Sequence, residues 1–169
     1  MNKILKHCKE KWAVPVVLLA LLLVSGCDPD ETQTVTNFTR LVLEQEFETD
    51  GAPDPAVWDF DIGTGQNGWG NQELQYYTDR TENVKVDNGV LLITAREESF
   101  EGSAYTSARL VTKDLFEQQY GRFEARIRLP WGKGIWPAFW MLGADIDENP
   151  WPGAGEIDIM EYRGQDPSV

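Results

Sequence analysis

The stretch Gly155-Glu156-Ile157-Asp158-Ile159-Met160-Glu161 sets three carboxylates within six residues, on a segment that otherwise reads as a buried β-strand. Successive side chains of a strand face opposite sides, so Glu156 and Asp158 share one face while Ile157 and Ile159 share the other. Strict alternation would place Glu161 with the isoleucines. One extra residue at Met160, taken up as a β-bulge, returns Glu161 to the face of Glu156 and Asp158. All three acids then look the same way.

Like charges held this close repel, which favours keeping one of the carboxyls protonated. A carboxylate nucleophile with a carboxylic acid about 5–5.5 Å away is the pair that retaining glycoside hydrolysis uses. At about 3.3 Å per residue the outer two backbones stand roughly 13 Å apart, and glutamate side chains leaning together over a concave sheet would close much of that gap. The competing reading is an acidic, solvated edge strand.

Upstream lies Gly134-Ile135-Trp136-Pro137-Ala138-Phe139-Trp140-Met141-Leu142, whose two tryptophans are four apart and share a face of an extended chain. Flat indoles suit the apolar C–H faces of sugar rings, whose hydroxyl rim pairs with polar side chains. Core packing is the alternative for such a pair. Their position one strand before the acids favours a cleft.

These stretches resemble glycoside hydrolase family 16, in its laminarinase-like branch. The resemblance rests on Glu156-Ile-Asp158-Ile-Met-Glu161, and on Tyr120-Gly-Arg-Phe-Glu-Ala-Arg-Ile-Arg-Leu-Pro130 running into Gly134–Leu142. It extends to Trp69-Gly-Asn71-Gln-Glu-Leu-Gln-Tyr-Tyr77-Thr78, to Asn83-Val-Lys-Val-Asp-Asn-Gly89-Val-Leu-Leu-Ile-Thr94 and to Glu46-Phe47. Nearly everything from Leu41 to Arg163 is covered. The longer acid motif, with its bulge residue, is more similar to the β-1,3-glucanase pattern than to the shorter lichenase one.

The resemblance implies Glu156 as nucleophile, Glu161 as general acid/base and Asp158 between them, with substrate contacts at Asn71, Arg109, Trp136 and Trp140. Asp158 would hydrogen-bond the nucleophile and hold negative potential near the acid. Arg109 lies in the strand-like stretch Tyr105–Thr112, where an inward arginine is costly unless it faces a wet cleft or an acid partner. A solvent-facing strand arginine is the alternative.

The N-terminus reads as an address. Lys3, Lys6, Lys9 and Lys11 form a basic leader, and Ala13–Val24 is an apolar run too short to span a bilayer comfortably. Val24-Ser25-Gly26-Cys27 resembles a bacterial lipobox, which implies cleavage after residue 26 and a lipid on Cys27. The alternative is a plain membrane anchor. The expected organisation is a lipoprotein signal peptide over 1–26, a lipidated cysteine and flexible tether over 27–39, and the N-terminal part of a catalytic domain over 40–169. The expected location is the bacterial cell envelope, exported and lipid-anchored, periplasmic or on the cell surface.

Cys8 and His7 fall in the leader, and Cys27 carries the lipid. The mature domain therefore has neither thiol nor histidine, which removes Ser-His, Cys-His and His-ligated zinc chemistry. Carboxylates remain. The net charge of −13 argues against nucleic acid or an anionic membrane surface as the working partner. Loss of four lysines and Glu10 with the leader leaves 11 basic against 27 acidic residues, a field that disfavours sulfated or carboxylated polysaccharides and leaves a neutral β-glucan unopposed.

The body reads as strands at Leu41–Phe47, Leu74–Thr78, Asn83–Val86, Val90–Arg96, Tyr105–Thr112, Gly121–Leu129, Ile135–Leu142 and Gly155–Tyr162. Asn88-Gly89 supplies the positive φ angles of a two-residue hairpin turn. Strands at this spacing indicate an all-β sandwich, and the resemblance implies a jelly roll of concanavalin A-like type with the cleft on its concave sheet. The region after residue 26 is 143 residues, against roughly 200–250 for such sandwiches. The sequence ends eight residues after Glu161, so the C-terminal portion of the domain is expected to be missing from this chain.

The reaction itself requires no cofactor. The resemblance implies a structural Ca²⁺ away from the cleft, for which Glu46 and the Gly89 carbonyl match two donors of the six to eight that calcium takes. The functional expectation is a monomeric, retaining endo-β-1,3-glucanase acting on laminarin-type glucans. The alternatives are a non-catalytic glycan-binding sandwich, or a relative acting on mixed-linkage glucan or galactan.

Overall fold

The computed structural model describes residues 37–164. The chain falls into two units, Met1–Thr39 and Arg40–Val169, and every described strand belongs to the second. The leader and Cys27 lie outside the described residues.

The described strands are β1 (Asp59–Asp61), β2 (Gln75–Tyr77), β3 (Val84–Asp87), β4 (Val90–Ile93), β5 (Arg96–Phe100), β6 (Ser103–Ser107), β7 (Arg109–Val111), β8 (Ala138–Leu142) and β9 (Glu156–Glu161). The β3–β4 hairpin turns at Asn88 (φ 52°) and Gly89 (φ 76°), and its register pairs Asp87 with Val90. That is the two-residue turn expected of Asn-Gly. β2 runs parallel to β6, which pairs antiparallel with β5, giving the order β2-β6-β5. β1 pairs antiparallel with β7, and β8 with β9.

The stretch expected as one strand from Tyr105 to Thr112 is two. Ala108, 7% exposed, separates β6 from β7 because each takes a different partner: β6 lies beside β2, and β7 beside β1. Gly63 stitches these sheets together, donating to the Tyr77 carbonyl and accepting from the Tyr77 N–H, each at 2.9 Å. Leu41–Phe47 forms no strand, and Gly121–Leu129 is likewise without one. The alternation of the latter is nonetheless used, since Phe123, Ala125, Ile127 and Leu129 line an apolar groove with Phe139 of β8 and with Ile159 and Met160 of β9. A strand needs a ladder partner as well as a pattern, and among the described residues none pairs with this segment.

Val84 and Val86 of β3 are nearly fully buried, each worth about 1.5–3 kcal/mol of transfer free energy. Beside them is a buried polar knot around Asn83, which has no solvent exposure. Its amide donates to the Thr94 carbonyl at 3.0 Å and to Thr106 Oγ1 at 2.9 Å, and its Oδ1 accepts from Thr78 Oγ1 at 2.6 Å and Arg80 Nη2 at 2.9 Å. Arg80 also pairs with Glu98 and lies 4.2 Å over the Phe100 ring. The Asn83 amide is thus satisfied at both its oxygen and its nitrogen, and the knot ties together the ends of β2 through β6.

Candidate active site

The β8–β9 register builds the acid face. Leu142 lies opposite Glu156, Met141 opposite Ile157, Trp140 opposite Asp158, Phe139 opposite Met160 and Ala138 opposite Glu161, with a register shift between Phe139 and Trp140. Residues directly opposite in an antiparallel pair point to the same side. Glu156, Asp158 and Glu161 therefore share the face of Trp140, and the bulge expected from the sequence is present. The unpaired residue is Ile159, not Met160, which keeps its place across from Phe139. Phe139, Ile159 and Met160 all line the apolar groove on the reverse side.

Each glutamate is held by an indole. Trp136 Nε1 donates to Glu161 Oε1 at 2.8 Å, and Trp151 Nε1 donates to Glu156 Oε2 at 2.8 Å. Trp136 sits just before β8, where Tyr162 N–H bonds to the Pro137 carbonyl at 3.1 Å and Gly164 N–H to the Ile135 carbonyl at 2.9 Å, carrying the pairing past the strand end. The Arg163 guanidinium covers the Trp136 ring at 4.7 Å. Trp151 comes from the loop between β8 and β9, whose ends meet through Gly143 N–H and the Gly155 carbonyl at 3.2 Å. The three acids are exposed.

Arg109, the first residue of β7, is the expected inward arginine with an acid partner. Its Nε lies 2.9 Å from Asp61 Oδ2, close enough for an ion pair but not aligned as a hydrogen bond. Its guanidinium stands 4.6 Å from the Trp69 ring and 4.9 Å from the Trp140 ring. Cation–π contact with Trp140 thereby joins the β1–β7 pair to the acid face.

Asn71 lies on the turn Gly68–Gln72, where Asn67, Gly68, Trp69, Gly70 and Gln72 all have positive φ. Its side-chain amide donates to Glu73 Oε1 at 3.3 Å. Glu73 Oε2 also accepts from Gln75 Nε2 at 2.6 Å and from the Tyr77 hydroxyl at 2.9 Å. Burial, then the charge of Glu73 and its hydrogen bond, hold the Tyr77 phenol in its protonated form well above the ordinary tyrosine value, with Arg109 opposing. The Tyr77 ring meets Trp69 at 5.8 Å between centroids, which closes a chain of contacts from Asn71 to Arg109 and Trp140.

The structure therefore links all the cleft residues expected from sequence, Trp136 through Glu161 and the others through Arg109 and Trp140. The sequence reading singles out neither Trp151 nor Asp61, Trp69, Glu73, Tyr77 and Arg163. Trp69, Glu73 and Tyr77 fall inside the Trp69–Thr78 block, and Trp151-Pro152 stands five residues before Glu156, but no periodicity marks any of them. Glu46 and Gly89 are both exposed. Among the described residues no three Asp, Glu, His or Cys side chains converge to hold a metal.

The sequence profile of "Glycosyl hydrolases family 16" matches residues 70–169. The chain belongs to this family. It is 55% identical over 133 residues to the beta-glucanase of Rhodothermus marinus, covering 77% of this chain and 46% of that protein. To the glucan endo-1,3-beta-glucosidase of Cryptopygus antarcticus it is 46% identical over 132 residues, covering 75% and 47%. The X-ray structure of the laminarinase from Rhodothermus marinus superposes with a TM-score of 0.71 at 56% identity, covering 75% of this chain and 51% of that one. The family 16 chain has the all-β fold expected from its strand pattern and the jelly roll that the resemblance implies, and it spans about half the length of the relatives it matches.

Proposed function

We propose that the protein hydrolyses internal β-1,3-glucosidic bonds of laminarin-type glucans by retaining double displacement. The observation that carries this reading is the bulged β8–β9 register, which sets Glu156, Asp158 and Glu161 on one open face beside Trp140. Glu161 gives its proton to the glycosidic oxygen while Glu156 attacks the anomeric carbon; the C–O bond to the leaving sugar breaks and a glycosyl ester forms. Glu161, now a carboxylate, takes a proton from water. The hydroxide attacks the anomeric carbon, the ester breaks, and Glu156 leaves as a carboxylate. Two inversions give net retention. The indole N–H on each glutamate fixes its rotamer before substrate arrives. Trp136 and Trp140 offer faces for sugar rings, and Asn71 and Arg109 offer donors for hydroxyls.

The lipobox-like Val24–Cys27 supports a lipid anchor at Cys27 and a place in the cell envelope, with the protein working there as a monomer on a neutral polysaccharide. The −13 charge supports that substrate class.

The test is proton NMR of the first products from laminarin, with mixed-linkage glucan and agarose as comparison substrates. β-Anomer appearing first, release of internal oligosaccharides and abolition by Glu156→Ala are expected. α-Anomer appearing first would overturn the nucleophile assignment, and glucan binding without any reducing ends would favour a glycan-binding sandwich.

A further inference from the structure

We infer that Glu73 is the positioning residue of the substrate wall: its carboxylate holds the Gly68–Gln72 turn in the shape that presents Asn71 and Trp69 to a glucan. This rests on the proposed β-1,3-glucan reading, since Asn71 matters only if a sugar lies against it.

The turn needs a clamp. Trp69 (φ 54°) and Gln72 (φ 59°) adopt left-handed backbone that costs non-glycine residues energy and persists only where the surroundings over-determine it. Its backbone closes on itself through Gly70 N–H to the Gln66 carbonyl at 2.9 Å, Gln72 N–H to Asn67 at 3.1 Å and Glu73 N–H to Gly68 at 3.2 Å. A Cβ at Gly68 would stand 2.5 Å from Glu73 N, so the turn folds tightly against Glu73. The Glu73 side chain then divides its oxygens. Oε1 takes Asn71 on the turn, and Oε2 takes Gln75 and Tyr77, both anchored in β2. A carboxylate accepts only, so all three donors are oriented towards it and their other polar atoms are directed away. Through the Tyr77 ring the same carboxylate bears on Trp69, the ring beneath the Arg109 guanidinium. Glu73 itself takes no part in proton or glycosyl transfer.

The experiment compares Glu73→Ala, Glu73→Gln, Asn71→Ala and the double Glu73→Ala/Asn71→Ala with the unaltered protein on laminarin oligosaccharides, alongside thermal melts. Glu73→Gln is the informative variant: its amide oxygen still accepts from Gln75 and Tyr77, whereas its amide nitrogen confronts the Asn71 donor. It should melt as the unaltered protein does while KM rises about fivefold with kcat nearly unchanged. Glu73→Ala should raise KM by about tenfold, and the double variant should be no worse than Glu73→Ala, because two residues on one interaction do not add. Additive effects, or a Glu73→Gln enzyme with unaltered KM, would overturn the positioning role. Failure of the unaltered protein to cleave laminarin would instead overturn the substrate reading. The same four changes measured as Kd for laminarihexaose in a Glu156→Ala background then decide the Glu73 role without turnover.

Discussion

Trp151 reaches the carboxylate of Glu156 from five residues earlier in the chain, donating its indole N–H to Oε2 at 2.8 Å from a loop that leaves the Trp151 ring 67% exposed. The proposed nucleophile is thereby tethered by a group with no chemistry of its own.

Trp151→Phe keeps the ring and removes the donor. A hydrogen bond to a charged group is worth about 1.5–3 kcal/mol, and at this exposure the low end applies, so kcat should fall by about tenfold. KM should move less. Stopped-flow measurement of leaving-group release from an aryl glycoside would locate the loss in ester formation; an unchanged rate there would mean the tether does nothing for attack.

The bulge gives a paired test. With Ile159 deleted, Met160 still lies across from Phe139 and Glu161 across from Ala138, so all three acids keep one face and reduced hydrolysis should persist. Deletion of Ile159 and Met160 together sets Glu161 across from Phe139, on the reverse side, and activity should drop to that of Glu161→Ala. Equal activities for the single and the double deletion would contradict the register.

Gly65 lies beneath Trp69. A Cβ there would stand 2.5 Å from Trp69 Cδ2, and its φ of +57° already disfavours any other residue. Gly65→Ala should cost about 1–3 kcal/mol in denaturant melts and, by lifting Trp69 from Arg109, raise KM as well. A loss of stability with KM intact would separate Trp69 from substrate binding.

Glu98 carries a pH signature. The Thr106 hydroxyl and then Arg80 hold its carboxyl below the ordinary glutamate value of 4.5. The folded state binds this proton less readily than the unfolded one, so the contribution to stability is present above pH 4.5 and is lost as pH falls through the lowered folded value. Tm against pH should therefore decline more steeply on the acid side for the unaltered protein than for Glu98→Gln. Parallel curves would show that the pairing is energetically silent.

The acid face and the Asn88-Gly89 hairpin were legible because each rests on local geometry: a period of two plus one inserted residue, and a turn that needs positive φ. Which of Ile159 and Met160 is left unpaired is set by the register with β8, where Met160 lies across from Phe139, and the acid spacing does not encode it. Gly121–Leu129 shows that alternation states which side chains share a face but not whether a ladder partner lies alongside, and Leu41–Phe47 forms no strand either. The break at Ala108 is of the same kind, set by which neighbours β6 and β7 find. Glu73 and Trp151 were illegible because their partners are chosen by loop shape.

The single backbone that passes from β6 through Ala108 into β7 carries Thr106 at one end and Arg109 at the other. Thr106 is locked into the Asn83 knot, whose amide also grips the Thr94 carbonyl at the end of the hairpin. A sugar that binds Arg109 as proposed is expected to stiffen the buried bonds leading away from the cleft, an outcome to be measured. Deuterium uptake at the Thr94 amide, which bonds the Asn83 carbonyl at 2.7 Å, becomes a remote gauge of whether the cleft is filled.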